Sequence, residues 1–183
     1  RARWKKVWQE LFDTHELVAQ VCRQQRAYSW QLLNRRIALK ELAISGGEFN
    51  PAFREKKRLA VARYMVFGNR WLVDEVTRNC PDFVVADTLP ELVQKMNALT
   101  GDGSVDLAAI TEAATSYDAR IDAGPRFHND EQLRRIEFAR RWIGDRLRTC
   151  RFQKILDPKA GPLLAIREFI ISRKSMGGLQ TDL

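Results

Sequence analysis

Cysteine and histidine are scarce in this chain, and their scarcity closes off several kinds of chemistry. The 183 residues hold three cysteines and two histidines. Cys22, Cys80 and Cys150 are far apart and odd in number, with no C-x-x-C pair and no Cys/His spacing of the zinc-binding kind. They read as reduced, mostly buried thiols of a cytoplasmic protein, not as a disulfide framework. His15 and His128 have no metal-type partner, fall at helix starts where a surface position is the default, and suggest no Ser-His-Asp arrangement. No metal site is expected. No apolar run approaches the ~18 residues that a bilayer span needs. Gly101-Asp102-Gly103 is not a dinucleotide fingerprint, since no strand leads into it and a third glycine is absent, so the chain has no phosphate-cradling loop of its own. Internal repeats, low-complexity stretches and an initiator Met are also missing. Residues 1–12 carry Arg1, Arg3, Lys5 and Lys6 but lack the apolar centre and cleavage site of a signal peptide. These traits, with an ending at Leu183 that has neither cap nor polar tail, read as a segment of a larger protein.

What is present is a mixed, basic composition. Hydrophobic residues make up 45%, enough for one sizeable core or two small ones. Thirty-one basic residues against twenty-three acidic ones give a net charge of +8. That balance suits a nucleic-acid partner, an ordinary basic surface, or docking on an acidic domain. The charges are spread from end to end, and the one tight run, Arg54-Glu55-Lys56-Lys57-Arg58, falls early in an expected helix. A basic helical module binding nucleic acid or protein is the alternative reading of the whole chain.

Periodicity predicts a mainly helical α+β chain. Trp4, Val7, Trp8 and Leu11 share one helical face. Asp13 and Glu16 form an N-cap and N3 pair ahead of Leu17, Val18 and Val21. After a break at Gln24-Gln25-Arg26, a long helix is expected with Trp30, Leu33, Ile37 and Ile44 on its face, ended by Gly46-Gly47. Asn50-Pro51 opens another, carrying Leu59, Ala62, Met65 and Val66 to Gly68. Asn69 caps a short helix with Leu72, Val73 and Val76, closed at Asn79-Cys80-Pro81. Phe83–Ala86 is a short β run. Thr88-Leu89-Pro90-Glu91 is a capping box, and Thr100–Gly103 a turn. Leu107, Ile110, Ala114, Tyr117 and Ile121 mark the clearest helix, broken by Gly124-Pro125. Asn129 and Gln132 cap one more, with Leu133, Ile136, Ala139 and Ile143 on its face. Thr149–Leu156 is expected as a strand, Asp157–Gly161 as a turn, and Pro162–Ser172 as a central strand apolar on both faces, which needs a sheet the chain itself does not supply. All five tryptophans fall on expected helices, where core packing is the ordinary role.

Two places stand out as sites. In Gln25-Arg26-Ala27-Tyr28-Ser29-Trp30 an arginine stands just ahead of an expected helix; the plain alternative is a solvated side chain. In Arg173-Lys174-Ser175-Met176-Gly177-Gly178 two cations and a hydroxyl adjoin glycines that let a flat ring approach; the plain alternative is a β-turn.

Arg173-Lys174-Ser175-Met176-Gly177-Gly178-Leu179-Gln180-Thr181-Asp182 resembles the H-x-T-M-G-G-[IVL]-x-[TI]-D segment of fumarate reductase and succinate dehydrogenase flavoproteins. It is closer to the R-K-T-L-G-G-L-Q-T-D version of FAD-binding dehydrogenases related to 3-ketosteroid Δ1-dehydrogenases. Leu156–Leu163 resembles that family's lead-in to its return strand, Ala86–Leu92 its A-D-[ST]-L-x-E-L helix start, Tyr117-Asp118 its Y-[ND] pair, and Tyr28–Asn34 its Y-S-W-x-L-L-N. The matches run in order from about Asp13 to the end.

The resemblance implies residues 1–148 as a helical capping, substrate-binding domain of a flavoprotein, and residues 149–183 as strands returning to its FAD domain. It implies FAD as cofactor and transfer of two hydrogens across a carbon–carbon bond of a steroid-like ketone or an unsaturated acid. Its partners would be that small-molecule substrate and the FAD domain of the same protein, with no nucleic acid and no membrane span. Arg26 and Arg173 are implied as catalytic, Tyr28, Lys174 and Ser175 as substrate-binding, and Met176, Gly177 and Gly178 as cofactor-binding. Arg173 replaces a substrate-binding histidine of fumarate reductases. Arg26 takes the place of the arginine in R-D-K-x-S, with Ala27 where the aspartate stands.

Overall fold

The structure, a computed structural model, describes residues 14–24, 26–43, 50–124, 133–134, 137–138, 141 and 152–170. Helices dominate around a small three-stranded sheet, an α+β arrangement. In chain order come α1 (Thr14–Cys22), β1 (Tyr28–Asn34), α2 (Arg35–Glu41), α3 (Pro51–Arg54), α4 (Arg58–Phe67), α5 (Arg70–Asn79), β2 (Phe83–Ala86), α6 (Leu89–Thr100), α7 (Leu107–Ala123), a 3₁₀ turn (Pro158–Ala160) and β3 (Leu163–Phe169).

Most helix starts follow their caps. Asn50, Asn69 and Thr88 each accept a backbone N–H of the first turn through the side chain, from Ala52, Leu72 and Glu91. Gly101 ends α6 in the left-handed conformation. Between α3 and α4 the expected single helix is broken. Lys56 takes φ 53°, Lys57 N–H bonds Ala52 O at 2.8 Å, and Lys56 N–H bonds Phe53 O at 3.1 Å. This is a Schellman ending with lysine where glycine is usual, so the sequence carries no sign of it.

The expected helix through Trp30, Leu33, Ile37 and Ile44 is corrected. Trp30 and Leu33 lie on β1, Ile37 lies on α2, and Ile44 is outside the described residues. Asn34 divides the run: it is fully buried, and its Oδ1 accepts the Ile37 N–H at 3.0 Å. Upstream of that cap, Tyr28–Asn34 pairs antiparallel with β3, from Tyr28 opposite Phe169 to Asn34 opposite Leu163. Ladder pairing with a distant strand overrides the local helical spacing.

β3 is central, as its apolar character predicts, but it needs no outside sheet: β1 and β2 flank it in the order β1-β3-β2. Leu163, Leu164, Ala165 and Ile166 are all buried. They meet Val84 and Ala86 of β2 and Leu89, Leu92, Val93 and Met96 of α6 in one core. Each large side chain there contributes about 1.5–3 kcal/mol by leaving water.

The expected strand Thr149–Leu156 is also corrected over its described part, since residues 152–154 have no ladder and Ile155-Leu156 is a turn. Side chains occupy the backbone groups a ladder would use. Asp118 on α7 accepts the N–H groups of Ile155 at 2.7 Å and Leu156 at 2.9 Å. Asn34 Nδ2 donates to the carbonyls of Lys154 at 2.8 Å and Ile155 at 3.1 Å. Two buried residues thus clamp the lead-in to β3 from both sides.

At the opposite corner, Gly68 takes φ 85° against α2, and a Cβ there would lie 2.6 Å from Leu39 O. Lys40 reaches the last carbonyls of α4, bonding Met65 O and Val66 O, where a cation suits the helix dipole. Cys80 is half-buried, but Cys22 is exposed, against the expectation of buried thiols, because it ends α1 on the solvent side. Cys150 lies outside the described residues. Among the described residues no helix is long and apolar enough to cross a membrane.

Candidate functional site

Antiparallel pairing brings the start of β1 beside the end of β3, and the chemistry gathers at that edge. Tyr28, Trp30, Arg167 and Phe169 share one sheet face, since directly opposed residues point the same way and the side-chain period is two. The Tyr28 ring meets Trp30 edge-on, with centroids 6.2 Å apart at 87°, and meets Phe169 at 6.1 Å and 60°. The Arg167 guanidinium carbon sits 5.1 Å from the Phe169 centroid and 5.9 Å from that of Tyr28.

Asp82, just ahead of β2, fixes that arginine. Its Oδ1 accepts Arg167 Nε and Nη2, both at 2.7 Å, and its carbonyl accepts the Arg167 backbone N–H at 2.9 Å. With both side chains mostly shielded, the pair is worth more than a surface ion pair. The result is an arginine held beside two rings that also touch each other, one of them, Phe169, still half-exposed. Trp30 Nε1 is buried with no hydrogen-bond partner among the described residues. A buried N–H without an acceptor costs about 1–3 kcal/mol. Glu168 points to the other face. Crowding by the surrounding chain pushes its carboxyl above the ordinary value, although the side chain still reaches solvent.

Arg26 precedes this strand, not a helix as expected. Its carbonyl accepts the Tyr28 N–H at 2.9 Å in a tight turn. Its side chain crosses to the turn after α6: Nε meets Asp102 Oδ2 at 3.0 Å, and Nη1 donates to Thr100 O at 3.2 Å. Asp102 is itself held, its Oδ1 accepting the Thr100 hydroxyl at 2.6 Å and the Ser104 N–H at 3.2 Å. Those bonds, aided by Arg26, hold its carboxyl down at about 2. The carboxylate that Ala27 does not provide beside Arg26 is supplied in space by Asp102.

Of the expected site residues, Arg26 and Tyr28 are thus described, close together. Arg173, Lys174, Ser175, Met176, Gly177 and Gly178 lie outside the described residues. Arg167, Phe169, Asp82 and Asp102 were not singled out from sequence. Arg167 and Phe169 had a usable signal in their two-residue spacing on a strand. Asp82 and Asp102 had none, because each acts on a residue distant in the chain. Among the described residues no group of three His, Cys, Asp or Glu side chains could hold a metal ion. An open, mostly apolar groove runs along α7 past Leu107, Thr111 and Thr115, and none of the edge residues lines it.

No protein-family model matches the chain. No solved structure matches it. The chain is 36% identical over 173 residues to a KsdD-like steroid dehydrogenase of Mycolicibacterium smegmatis. It is 34% identical over 174 residues to KsdD-like steroid dehydrogenases of two Mycobacterium tuberculosis strains. Each match takes in 94% of this chain, and the chain spans only about a third of the length of these curated relatives. The likeness supports the ketosteroid dehydrogenase-like resemblance carried by the motifs, and it does not favour a nucleic-acid or protein-interaction module.

Proposed function

We propose that this chain is the capping, substrate-binding segment of an FAD-dependent dehydrogenase of the ketosteroid dehydrogenase type. The protein as a whole would remove or add two hydrogens across a carbon–carbon bond next to a ketone, with a steroid-like molecule as substrate. The observation that carries this reading is the likeness to KsdD-like steroid dehydrogenases over 94% of the chain. The sheet edge supports it. Tyr28 stands opposite Phe169, which precedes Arg173 by four residues in the sequence.

The described edge suits a flat guest, since Tyr28 and Phe169 offer ring surface there. A bound flavin would supply the two-electron chemistry, held in part by Met176, Gly177 and Gly178. In this reading Tyr28, Lys174 and Ser175 orient the substrate, and Arg26 and Arg173 place positive charge where the carbonyl gains electron density. Asp102 and Thr100 fix the position of the Arg26 side chain. The capping segment excludes solvent from the reacting atoms. The family pattern divides the chain after residue 148. Because β3 lies in one sheet with β1 and β2, we place the return toward the flavin-binding part beyond Phe169.

The test uses the full-length polypeptide. It should purify yellow, release flavin on denaturation, and have its flavin bleached by a steroid ketone under anaerobic conditions. Arg173→Ala should slow that bleaching with little loss of bound flavin. A colourless full-length protein that yields no flavin would refute the proposal.

A further inference from the structure

Arg167 stands in the last complete row across the sheet. The antiparallel register puts Trp30 of β1 on one side of it. On the other side Asp82, one residue ahead of β2, continues the register, and its carbonyl accepts the Arg167 N–H at 2.9 Å. The next row outward has two members among the described residues, Tyr28 and Phe169. β2 begins only at Phe83, whose N–H donates to Cys80 O at 3.1 Å in the turn that leads into the strand. Tyr28 and Phe169 are thus end residues of their strands, and Arg167 lies directly behind both, two places along β3 from Phe169 and diagonal to Tyr28. Diagonal neighbours on one sheet face are within reach of long and aromatic side chains. Accordingly the guanidinium carbon lies 5.1 Å from the Phe169 centroid and 5.9 Å from that of Tyr28.

What the Arg167–Asp82 ion pair adds at this place is direction. The backbone bond between the same two residues already ties the start of β2 to β3. Merely to hold strands together, apolar side chains of similar volume do as well as a shielded ion pair. A guanidinium, however, is a flat fork that stacks on aromatic faces. Asp82 Oδ1 takes both Nε and Nη2 at 2.7 Å. Held at two nitrogens, the group has little freedom to swing off the rings, and a cation within about 6 Å of a ring centroid attracts its face. Tyr28 in turn meets Trp30 edge-on and Phe169 at a tilt. The rings are therefore oriented as a set, from the arginine outward.

We propose that Arg167, held by Asp82, is a positioning residue of the substrate site: it sets the orientation of the Tyr28 and Phe169 rings against which a flat steroid ketone lies. This role rests on the function proposed above, with the sheet edge as part of the site. Arg167 takes no part in the reaction itself. It governs how tightly the guest is held and leaves unchanged how fast the bound guest reacts.

The experiment follows anaerobic flavin bleaching in the full-length protein by progesterone, a flat steroid ketone, over a range of concentrations. Arg167→Met keeps a long side chain but loses the cation and the fork. It should raise the half-saturating concentration about fivefold or more, with the limiting rate within about twofold of the wild type and bound flavin retained. Asp82→Ala should shift the half-saturating concentration the same way, and adding it to Arg167→Met should change little more. Arg167→Lys, a charge without the fork, should recover only part of the loss. A half-saturating concentration within about twofold of the wild type in Arg167→Met would overturn the proposal. So would a limiting rate that falls as far as the half-saturating concentration rises, which would put Arg167 in the reaction, or a loss of bound flavin, which would put it in the fold alone. A wild-type protein that progesterone does not bleach would instead count against the proposed function, and the positioning role would fall with it.

Discussion

Replacing Asp118 by alanine should loosen the lead-in to β3 more than any surface change on α7. Asp118 is buried, and its two oxygens accept the Ile155 and Leu156 N–H groups at 2.7 and 2.9 Å. A hydrogen bond to a charged group contributes about 1.5–3 kcal/mol net, and a buried amide left without a partner costs about 1–3 kcal/mol. Losing both acceptors at one site therefore costs about 3–5 kcal/mol, the lower figure applying if water enters the gap. Hydrogen exchange at the Ile155 and Leu156 amides reads this directly. At about 1.4 kcal/mol per factor of ten, both should exchange on the order of a hundredfold faster, or more. Asp118→Asn keeps one acceptor oxygen, so one amide should stay slow while the other speeds up. Because Asn34 grips the neighbouring carbonyls of Lys154 and Ile155, the costs of Asp118→Ala and Asn34→Ala should not simply add. Exchange at Ile155 and Leu156 that stays within about threefold of the wild type in Asp118→Ala would refute the clamp.

Gly68→Ala should cost roughly 2–4 kcal/mol in a denaturant titration, because its Cβ would meet Leu39 O at 2.6 Å in a left-handed backbone, whereas Gly101→Ala, with open space around it, should cost only about 1 kcal/mol. A similar cost at both positions would contradict the close approach of α4 and α5 to α2. Asp102 should hold Arg26 at neutral pH and release it only in strong acid. Its folded carboxyl sits at about 2, below its ordinary 3.8, so the stabilisation is complete above the ordinary value and is lost as pH falls through the folded one. A carbon-13 titration of the Asp102 carboxyl with a midpoint near 3.8 would count against this. A double-mutant cycle on Arg167→Ala and Asp82→Ala, followed by unfolding, should show about 1–2 kcal/mol of coupling, and strict additivity would mean that Asp82 does not fix the arginine.

The helical part of the fold was legible where local chemistry decides it. Asn50, Asn69 and Thr88 cap as their side chains predict, and Gly101 and Gly124 end α6 and α7 where a positive φ is needed. The sheet was only half legible. β2 and β3 announce themselves as apolar β runs, but β1 carries Trp30 and Leu33 at a spacing that also suits a helix. The cue that separates the two readings is Asn34, an N-cap residue in the middle of the run. The expectation for Thr149–Leu156 fails for a different reason: its apolar residues suit a strand, while its backbone is held by side chains from Asn34 and Asp118, both far away in sequence. The same limit applies to the edge of the sheet. Arg26 and Tyr28 could be picked out from sequence, but Asp102 and Asp82, which hold Arg26 and Arg167, could not, because only folding brings them close.

The strand order β1-β3-β2 has a consequence in time as well as in space. β1 and β2 do not pair with each other; both wait for β3, the last described element of the chain. During synthesis, α2 to α7 can form from local contacts as they emerge, but two strands remain with open edges until Leu163–Phe169 arrives between them. Closing so long a loop is slow, and unpaired edges are exposed to other chains meanwhile. The clamp at Lys154–Leu156 lies just ahead of β3 in the chain. Its capture by Asn34 and Asp118 would bring the final strand to its slot and shorten the interval in which the newborn chain is open to misassembly.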